Sequence, residues 1–365
     1  MRWDEVDHEW VLDVAVVSQH DLSATLSVLD GVDPSGCTLD EGYRTDTRAS
    51  ARVTTVVPEG ESDGYVADAR LRITLSVPSR GWSRELFTGY VTNVQEDVED
   101  GSVTRVYELD STLFGISKDL IPWQVTCAAG ASMLDAVRLL LDLARMPHSL
   151  DGAVDRRFGS AVCYERGDAL LHMCYDLTGS TDRIDVDGHG RITVRPYKAP
   201  SQRAATKLID DSDPMTLSVG AARRTSNAFE RPGRGIVTAS QSEQGADGKS
   251  RSVTIAGWYD SPPESETSSA RRGYTIAAKR SYEGASEHPT QDELNTEARQ
   301  FWRDSQNIGA EWRRDVLYQD LHEGDVVNFT PHGRETVKCI VATCKTDFGD
   351  MTQSLTLEEV TNEST

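Results

Sequence analysis

The sequence has no apolar run long enough to cross a membrane. Its longest such run, residues 139–144, contains Asp142, whereas a spanning helix needs roughly 20 apolar residues. Residues 1–5 include two acids, where a secretion signal would have basic residues followed by an apolar stretch. We therefore expect no secretion signal and no stable membrane insertion.

Basic residues are scarce as well. The 365 residues include 38 Lys and Arg against 59 Asp and Glu, which gives a formal net charge of −21. No basic cluster and no RNA-binding motif is present, and a negative charge of this size opposes binding to phosphate backbones. The sequence therefore predicts no specific nucleic-acid binding.

Cysteine pairs with metal-binding or redox spacing are absent too. The six cysteines are scattered and none forms a C-x-x-C pair, so we expect reduced thiols that mostly serve packing. They are Cys37, Cys127, Cys163, Cys174, Cys339 and Cys344. The last two are five residues apart, which on a regular strand places them on opposite faces.

The chain does have enough length and aromatic residues for more than one core. A length of 365 residues suggests two to three domains. In the first of these, residues 1–120, Leu, Ile and Val alternate with polar residues between positions 71 and 77, as in a half-buried strand. Similar runs without a convincing helix predict an antiparallel barrel or sandwich. These runs lie at 10–17, 51–57, 85–94 and 103–109, with an acidic turn at 97–102.

Residues 121–202 predict a small α/β insert. Ser132 is the expected N-cap of a helix that ends before Pro147. The buried face of this helix is expected to comprise Met133, Val137, Leu140, Leu141 and Ala144. A second helix over 169–177 and a hairpin with a Gly-rich turn at 187–190 complete the insert.

Residues 203–365 predict a second β domain with one helix at about 290–303. Thr290 and Glu293 match a capping box at the start of that helix. Its buried face is expected to consist of Leu294, Ala298, Phe301 and Trp302. Six strands are expected at 252–257, 274–279, 309–317, 325–329, 337–343 and 351–358. The fold class is thus mainly β, with two barrel or sandwich domains flanking a mixed module.

No catalytic, cofactor-binding or metal-binding residue is predicted. Residues 185–190 superficially resemble a calcium loop, but Pro196 stands where an EF-hand needs its bidentate Glu. Cys163, His172 and Cys174 lack the paired spacing of a zinc site and are interpreted as packing residues.

Acidic pairs carry no stronger signal. The adjacent carboxylates are Glu96 with Asp97 and Asp210 with Asp211. In a chain with 59 acids such pairs arise without a hydrolytic role. Nucleophile, phosphate-loop and dinucleotide motifs are absent from the sequence.

The order of the predicted domains resembles the hub proteins at the tip of phage tails. In that family the matching segments are a strand leaving the first barrel, a hairpin closing the insert, the first strand of the second barrel, and a late helix followed by a Gly-Asp-hydrophobic strand start. Here they correspond to residues 85–91 with 107–111, 180–200, 226–237, and 290–302 with 322–327. The resemblance is architectural and covers most of the chain.

The resemblance implies a structural adaptor and no enzymatic activity. Hubs of this family are homotrimers, in which three chains with two β domains each present six similar edges. Such a ring joins the hexameric tail tube, or a distal tail protein, to a threefold spike or fibre and to the tape measure protein. The implied location is the virion, at the tail tip, after assembly in the host cytoplasm. We expect an adaptor role rather than a cell-wall-cutting or receptor-binding one, because no fibre, peptidase or lysozyme segment is recognisable in residues 203–365.

Two further expectations concern surfaces. If DNA passes through a ring of this protein, acids should line the lumen, and the turn at 97–100 is one candidate. The alternative is that the acids are scattered for solubility. A carbohydrate-binding or adhesin-like virion protein is the second functional hypothesis, and a glycan hydrolase the third. Binding would need exposed aromatics, for which Trp82, Trp123 and Trp258 are candidates, although all three are interpreted as core residues.

Overall fold

The computed structural model describes residues 9–43, 45–159, 161–178, 182–213, 218–225, 231–244, 250–282, 289–306 and 308–360. The expected absence of a signal at residues 1–5 falls outside this part, as do residues 180–181 and 226–230 of the matching segments. Among the described residues no helix is both long and apolar enough to cross a membrane.

The described residues of the N-terminal half form seven strands and one helix. They are β1 (Val11–Val17), β2 (Thr25–Val28), β3 (Thr38–Gly42), β4 (Ala49–Pro58), β5 (Arg70–Val77), β6 (Trp82–Glu99), β7 (Ser102–Ser111) and α1 (Thr112–Lys118). The longer strands confirm the sequence pattern, which does not predict the short elements β2, β3 and α1. The acidic turn is tighter than expected, because Asp100 and Gly101 both adopt positive φ, as in a two-residue hairpin turn.

Strand β5 corrects one expectation. Its apolar face is buried in the core, as predicted, but Arg70 and Arg72 on the other face are buried as well. Thr112 accepts a hydrogen bond from Arg70 and donates one to the carbonyl of Gly190. Likewise, Thr88 accepts a hydrogen bond from Arg72 and donates one to the carbonyl of Gly188. The strand is therefore buried on both faces, because the hairpin turn of the insert covers it.

The insert has the predicted mixed composition. Its elements are β8 (Val125–Cys127), α2 (Met133–Leu143), β9 (His148–Ser149), β10 (Val162–Tyr164), α3 (Leu170–Thr178), β11 (Asp182–Val186) and β12 (Ile192–Pro196). Ser132 caps α2 as expected, since its Oγ accepts the N–H of Asp135 at 3.0 Å. Val137, Leu140 and Leu141 share one core with the β11–β12 hairpin.

Nine further strands and two helices lie in the described residues of the C-terminal half. They are β13 (Lys207–Asp210), β14 (Ser218–Thr225), β15 (Arg234–Gln244), β16 (Ser250–Asp260), α4 (Ser269–Arg272), β17 (Ala277–Ser281), α5 (Gln291–Gln306), β18 (Ile308–Leu317), β19 (Val326–Thr330), β20 (Val337–Asp347) and β21 (Thr352–Val360). The capping box of α5 is confirmed by reciprocal bonds between Thr290 and Glu293. The expected buried face of α5 packs on β15 and β16.

One 13-stranded sheet runs through both halves of the chain. Its order is β14-β18-β21-β20-β3-β4-β7-β6-β5-β1-β2, with β19 on β20 and β13 on β19. The halves meet where β20 pairs antiparallel with β3. The predominantly β fold with an α/β insert is thus confirmed, while closure into barrels and the three-domain division remain predictions.

Two cysteine expectations are wrong. A bulge between Val341 and Thr343 shifts the alternation of β20, so Cys339 and Cys344 both lie in the same buried core. Cys163 is exposed at the edge of the β8–β10 pair, whereas Cys174 is a buried packing residue as predicted.

Candidate assembly and channel surfaces

One face of the large sheet is mostly polar from β14 to β6. Residues that pair directly across neighbouring strands point to the same side of a sheet. One such row, from β14 to β6, comprises Val219, Asp315, Ser354, Lys345, Asp40, Ser50, Asp110 and Tyr90. The next row comprises Leu317, Thr352, Asp347, Thr38, Arg52, Glu108 and Asn93. We call this side the polar sheet face.

The polar sheet face carries an excess of negative charge. Its two rows contain five acids but only Lys345 and Arg52 as bases, and none of these side chains is buried. Lys345 lies 3.7 Å from Asp40 across the joint between the halves. An open concavity of about 530 Å³ lies on this face over the joint, lined by Asp40, Asp110, Asp315 and Lys345 among others. The face is therefore continuous, concave at its centre and acidic.

At one end of the polar sheet face, β6 has an uncovered edge. Residues up to Tyr90 pair with β5, and residues 89–99 pair with β7 on the other side. Among the described residues no strand pairs with the outer edge of residues 91–99. Val94 and Val98 on this segment are 43% and 57% exposed, which is unusual for valines in a strand.

The other end of the polar sheet face, strand β14, is also uncovered. It pairs with β18 on one side, and within the described part of the chain its second edge has no partner strand. Arg223 points to the polar sheet face opposite Arg313, so this edge is basic. Uncovered strand edges offer unpaired N–H and C=O groups to another chain.

A cluster of charged residues ties the insert to the joint between the halves. Arg183 on β11 binds Glu323 and Asp185, and its guanidinium carbon lies 4.0 Å from the ring centroid of Tyr43. Arg48 lies 3.7 Å from Asp185 and donates to the carbonyl of Ile184. The insert is therefore fixed to both sheet halves by paired, largely buried charges.

His322 extends this charged cluster at the joint between the two halves. Its Nδ1 lies 3.1 Å from Glu41 of β3, and its Nε2 lies 3.4 Å from Asp320, which also binds Arg84 of β6. Burial alone would lower the pKa of His322, but the two carboxylates outweigh it and raise that pKa to about 10. The imidazole is therefore charged at neutral pH and acts as a cation linking the two halves.

The acidic pairs from the sequence have separate structural settings. Glu96 binds Arg105 at 2.8 Å, whereas Asp97 makes no ion pair among the described residues. Asp211 binds Arg314, and Asp210 accepts hydrogen bonds from Ser212 in a turn. Glu96 lines an open cavity of about 600 Å³ that also contains Glu59, Glu61 and Asp63, and Arg105 pairs with both Glu96 and Asp63 there.

Residues 185–190 form the plain hairpin turn that the sequence predicts. Gly190 N–H donates to the carbonyl of Asp187, and Asp185 is engaged by arginines. In the described part of the chain no group of three or more His, Cys, Asp or Glu side chains could hold a metal ion. His172 points outward, away from the buried Cys174.

The interpretation of the three tryptophans as core residues is wrong for two of them. Trp123 and Trp258 are about half exposed, whereas Trp82 packs edge-on against Trp10 at the rim of the N-terminal core. The sequence patterns do not predict the uncovered edges of β6 and β14. In the sequence, the valines within the acidic stretch of β6 are the feature that points to such an edge.

Comparison with known proteins supports the fold but gives no close relative. Neither a protein-family model nor a curated protein matches the chain. A tail protein from Neisseria meningitidis MC58 has a TM-score of 0.65 and 11% identity, covering 95% of this chain and 96% of its own. The 43 kDa tail protein of prophage MuSo2 from Shewanella oneidensis has a TM-score of 0.63 and 10% identity, covering 96% and 98%.

A third solved structure agrees with these two. The prophage tail protein gp18 from Listeria monocytogenes EGD-e has a TM-score of 0.55 and 10% identity, covering 97% of this chain and 95% of its own. The chain therefore has the fold of phage tail proteins along nearly its whole length, and the resemblance inferred from the sequence is confirmed at the level of the fold.

Proposed function

We propose that this protein is a structural hub at the tip of a phage tail. In this proposal three copies form a ring that joins the hexameric tail tube, or a distal tail protein, to a threefold spike or fibre, in contact with the tape measure protein. The site of action is the virion, after assembly in the host cytoplasm. No catalytic residue is part of the proposal.

The observation that supports it most is the polar sheet face. A sheet that continues through both halves, with one acidic side, can curve into one third of a ring wall. The opposite side of the same strands holds the buried cores of the two halves. The polar sheet face from β14 to β7 is thus the side that would be available to a water-filled lumen, while the insert covers the same side at β5 and the start of β6.

The charge of the polar sheet face fits the passage of DNA. A surface that carries five acids and two bases in its two central rows repels phosphate, so DNA would pass without being held. Asp97 lies further along the same side and supports the expectation that the acidic turn faces the lumen. The surface potential of an assembled ring tests this, because a neutral or basic lumen would contradict the channel role.

The ring is tested by measuring mass and shape together. We expect light scattering of the purified full chain to give a mass of three chains, and electron microscopy to show rings with a central opening. Immunogold labelling of intact particles should place the protein at the tail tip. A protein that stays monomeric at high concentration and is absent from tail tips would contradict the proposal.

A second candidate function rests on the exposed tryptophans. Trp258 lies on β16, where the outer face of the three-stranded sheet also carries Ile236 and Lys279. Exposed indoles stack on sugar rings in many glycan-binding sites, so a carbohydrate-binding role remains the alternative. Glycan-array binding that Trp258→Ala abolishes and Trp123→Ala spares would favour it.

A further inference from the structure

The two halves of the large sheet repeat one arrangement of strands. In the C-terminal half, β14, β18, β21 and β20 lie side by side and the start of β20 pairs with β19. In the N-terminal half, β3, β4, β7 and β6 lie side by side and the start of β6 pairs with β5. Both β6 and β20 carry a bulge directly after this change of partner, at residues 91–93 and 341–343. Aligning the bulges therefore matches β6 with β20.

The matched strands differ in one respect. After its bulge, β20 has a partner on both edges, β21 on one side and β3 on the other. The corresponding part of β6 has only β7 among the described residues. In this repeat the counterpart of β3 is β14, whose outer edge is also uncovered. The joint between β20 and β3 is thus formed within the chain, whereas among the described residues the equivalent edges of β6 and β14 each lack a partner strand.

We propose that the uncovered edge of β14 in one copy pairs antiparallel with residues 93–97 of β6 in the next, by the same geometry as the β20–β3 joint. This inference rests on the proposed hub, because it names the contact between its copies. The eight strands from β14 to β6 alternate in direction, so the first and the last of them run antiparallel to each other. Around a ring, β14 of one copy would therefore meet β6 of the next copy in the antiparallel orientation.

The repeat also fixes the register of this joint. Counting outward from the bulges, the matched positions are Asn93 with Thr343, Glu108 with Thr356, Arg52 with Arg313, and Thr38 with Arg223. On β6 and β20 the same alignment matches Asp97 with Asp347. Because Asp347 faces Thr38 inside the chain, Asp97 of one copy faces Arg223 of the next.

The side chains suit this register. Asp97 and Arg223 are both exposed, carry opposite charges and form no ion pair among the described residues. Opposite charges directly across an antiparallel pair stabilise it, whereas like charges destabilise it. The internal joint has such a pair in Lys345 and Asp40, with the basic residue on the other strand. An edge of β6 would not pair well with a second β6, because acids would face acids.

The exposed valines of β6 are explained by the same match. Val94 and Val98 are the counterparts of Cys344 and Phe348, which are almost fully buried beside the internal joint. A strand added to β6 would cover the two valines in the same way. Burial of these apolar side chains would stabilise the contact between copies.

Cysteine cross-linking tests the register in the full chain. The variant Asp97→Cys/Arg223→Cys, in a Cys163→Ser background, should form disulfide-linked trimers under mild oxidation. Arg52→Cys/Arg223→Cys is the matched control, because Arg52 lies on the same face but two strands away from β6. It should stay uncross-linked.

Charge reversal tests the ion pair. Asp97→Arg and Arg223→Asp alone should each weaken trimer formation by about tenfold, and the combined variant should recover most of that loss. Trimers that never cross-link at 97 and 223 would overturn this joint and leave the hub intact. Cross-linked dimers or open chains would support the joint and contradict the threefold hub. A strict monomer without cross-links would overturn both.

Discussion

Arg314 and Asp211 form an ion pair of 2.8 Å in which each side chain is only 5% exposed. The same guanidinium donates to the carbonyls of Val219 and Gly220, at the irregular part of β14. A single arginine thus holds the outermost strand of the polar sheet face in position, with its charge balanced by one buried carboxylate.

Removing this arginine should destabilise the protein strongly. Arg314→Ala leaves Asp211 buried without its partner, which costs about 3–5 kcal/mol. Chemical denaturation followed by tryptophan fluorescence would measure the loss. The neighbouring Arg313→Ala, which removes an exposed side chain, should change the free energy of unfolding by no more than about 0.5 kcal/mol. Equal effects of the two substitutions would contradict the buried pair.

The hairpin turn of the insert should not tolerate a larger residue at Gly188. A Cβ at this position would lie 2.1 Å from the backbone oxygen of Glu85. Gly188→Ala should therefore force the turn away from β5 and β6, at a cost of about 1–3 kcal/mol. His189→Ala, one residue further along the turn, should cost less. Thermal unfolding compares the two variants. A Gly188→Ala variant as stable as the parent protein would show that the turn does not lie this close to Glu85.

The free energy of unfolding should fall as the pH rises from neutral to alkaline. The folded state raises the pKa of His322 to about 10 because Glu41 and Asp320 favour its charged form. Its contribution is fully present below the unfolded pKa near 6.5 and is lost as the pH approaches 10. His322→Gln should flatten this dependence between pH 7 and pH 10 in denaturation curves. An unchanged slope would show that another group is responsible.

Two adjacent leucines of α2 provide a matched pair. Leu140 is 3% exposed and Leu139 is 57% exposed. Leu140→Asp should cost several kcal/mol, because it places a charge in the core of the insert, whereas Leu139→Asp should be nearly neutral. Circular dichroism melting curves distinguish them. Loss of stability in the Leu139 variant instead would reverse the assignment of the buried face.

The sequence predicts local elements well where one pattern decides the structure. The cap at Ser132, the capping box at Thr290 and the alternation in β5 each act through residues close in sequence. Burial of Arg70 and the same-side placement of Cys339 and Cys344 depend on the hairpin turn above β5 and the bulge in β20. These involve residues far apart in sequence or a single extra residue in a strand, so alternation alone gives the wrong face.

The candidate surfaces are harder to predict from the sequence for the same reason. The excess of acids is visible in the composition, but which acids share a face depends on pairing between strands as distant in sequence as β3 and β20. The repeat of the two halves depends on strand order and bulge position, and few residues at matched positions are alike. The exceptions include Arg52 with Arg313 and Asp97 with Asp347.

The pairing of β3 with β20 has a consequence for synthesis on the ribosome. Residues 38–42 and 343–347 are about 300 positions apart, so the N-terminal half emerges long before its last neighbour exists. During that interval β3 offers an open edge, which is the feature that promotes aggregation of nascent chains. Its short length and its acids, Asp40 and Glu41, make that edge a poor template for other strands. We therefore expect closure of this loop of about 300 residues to be a late and slow step of folding.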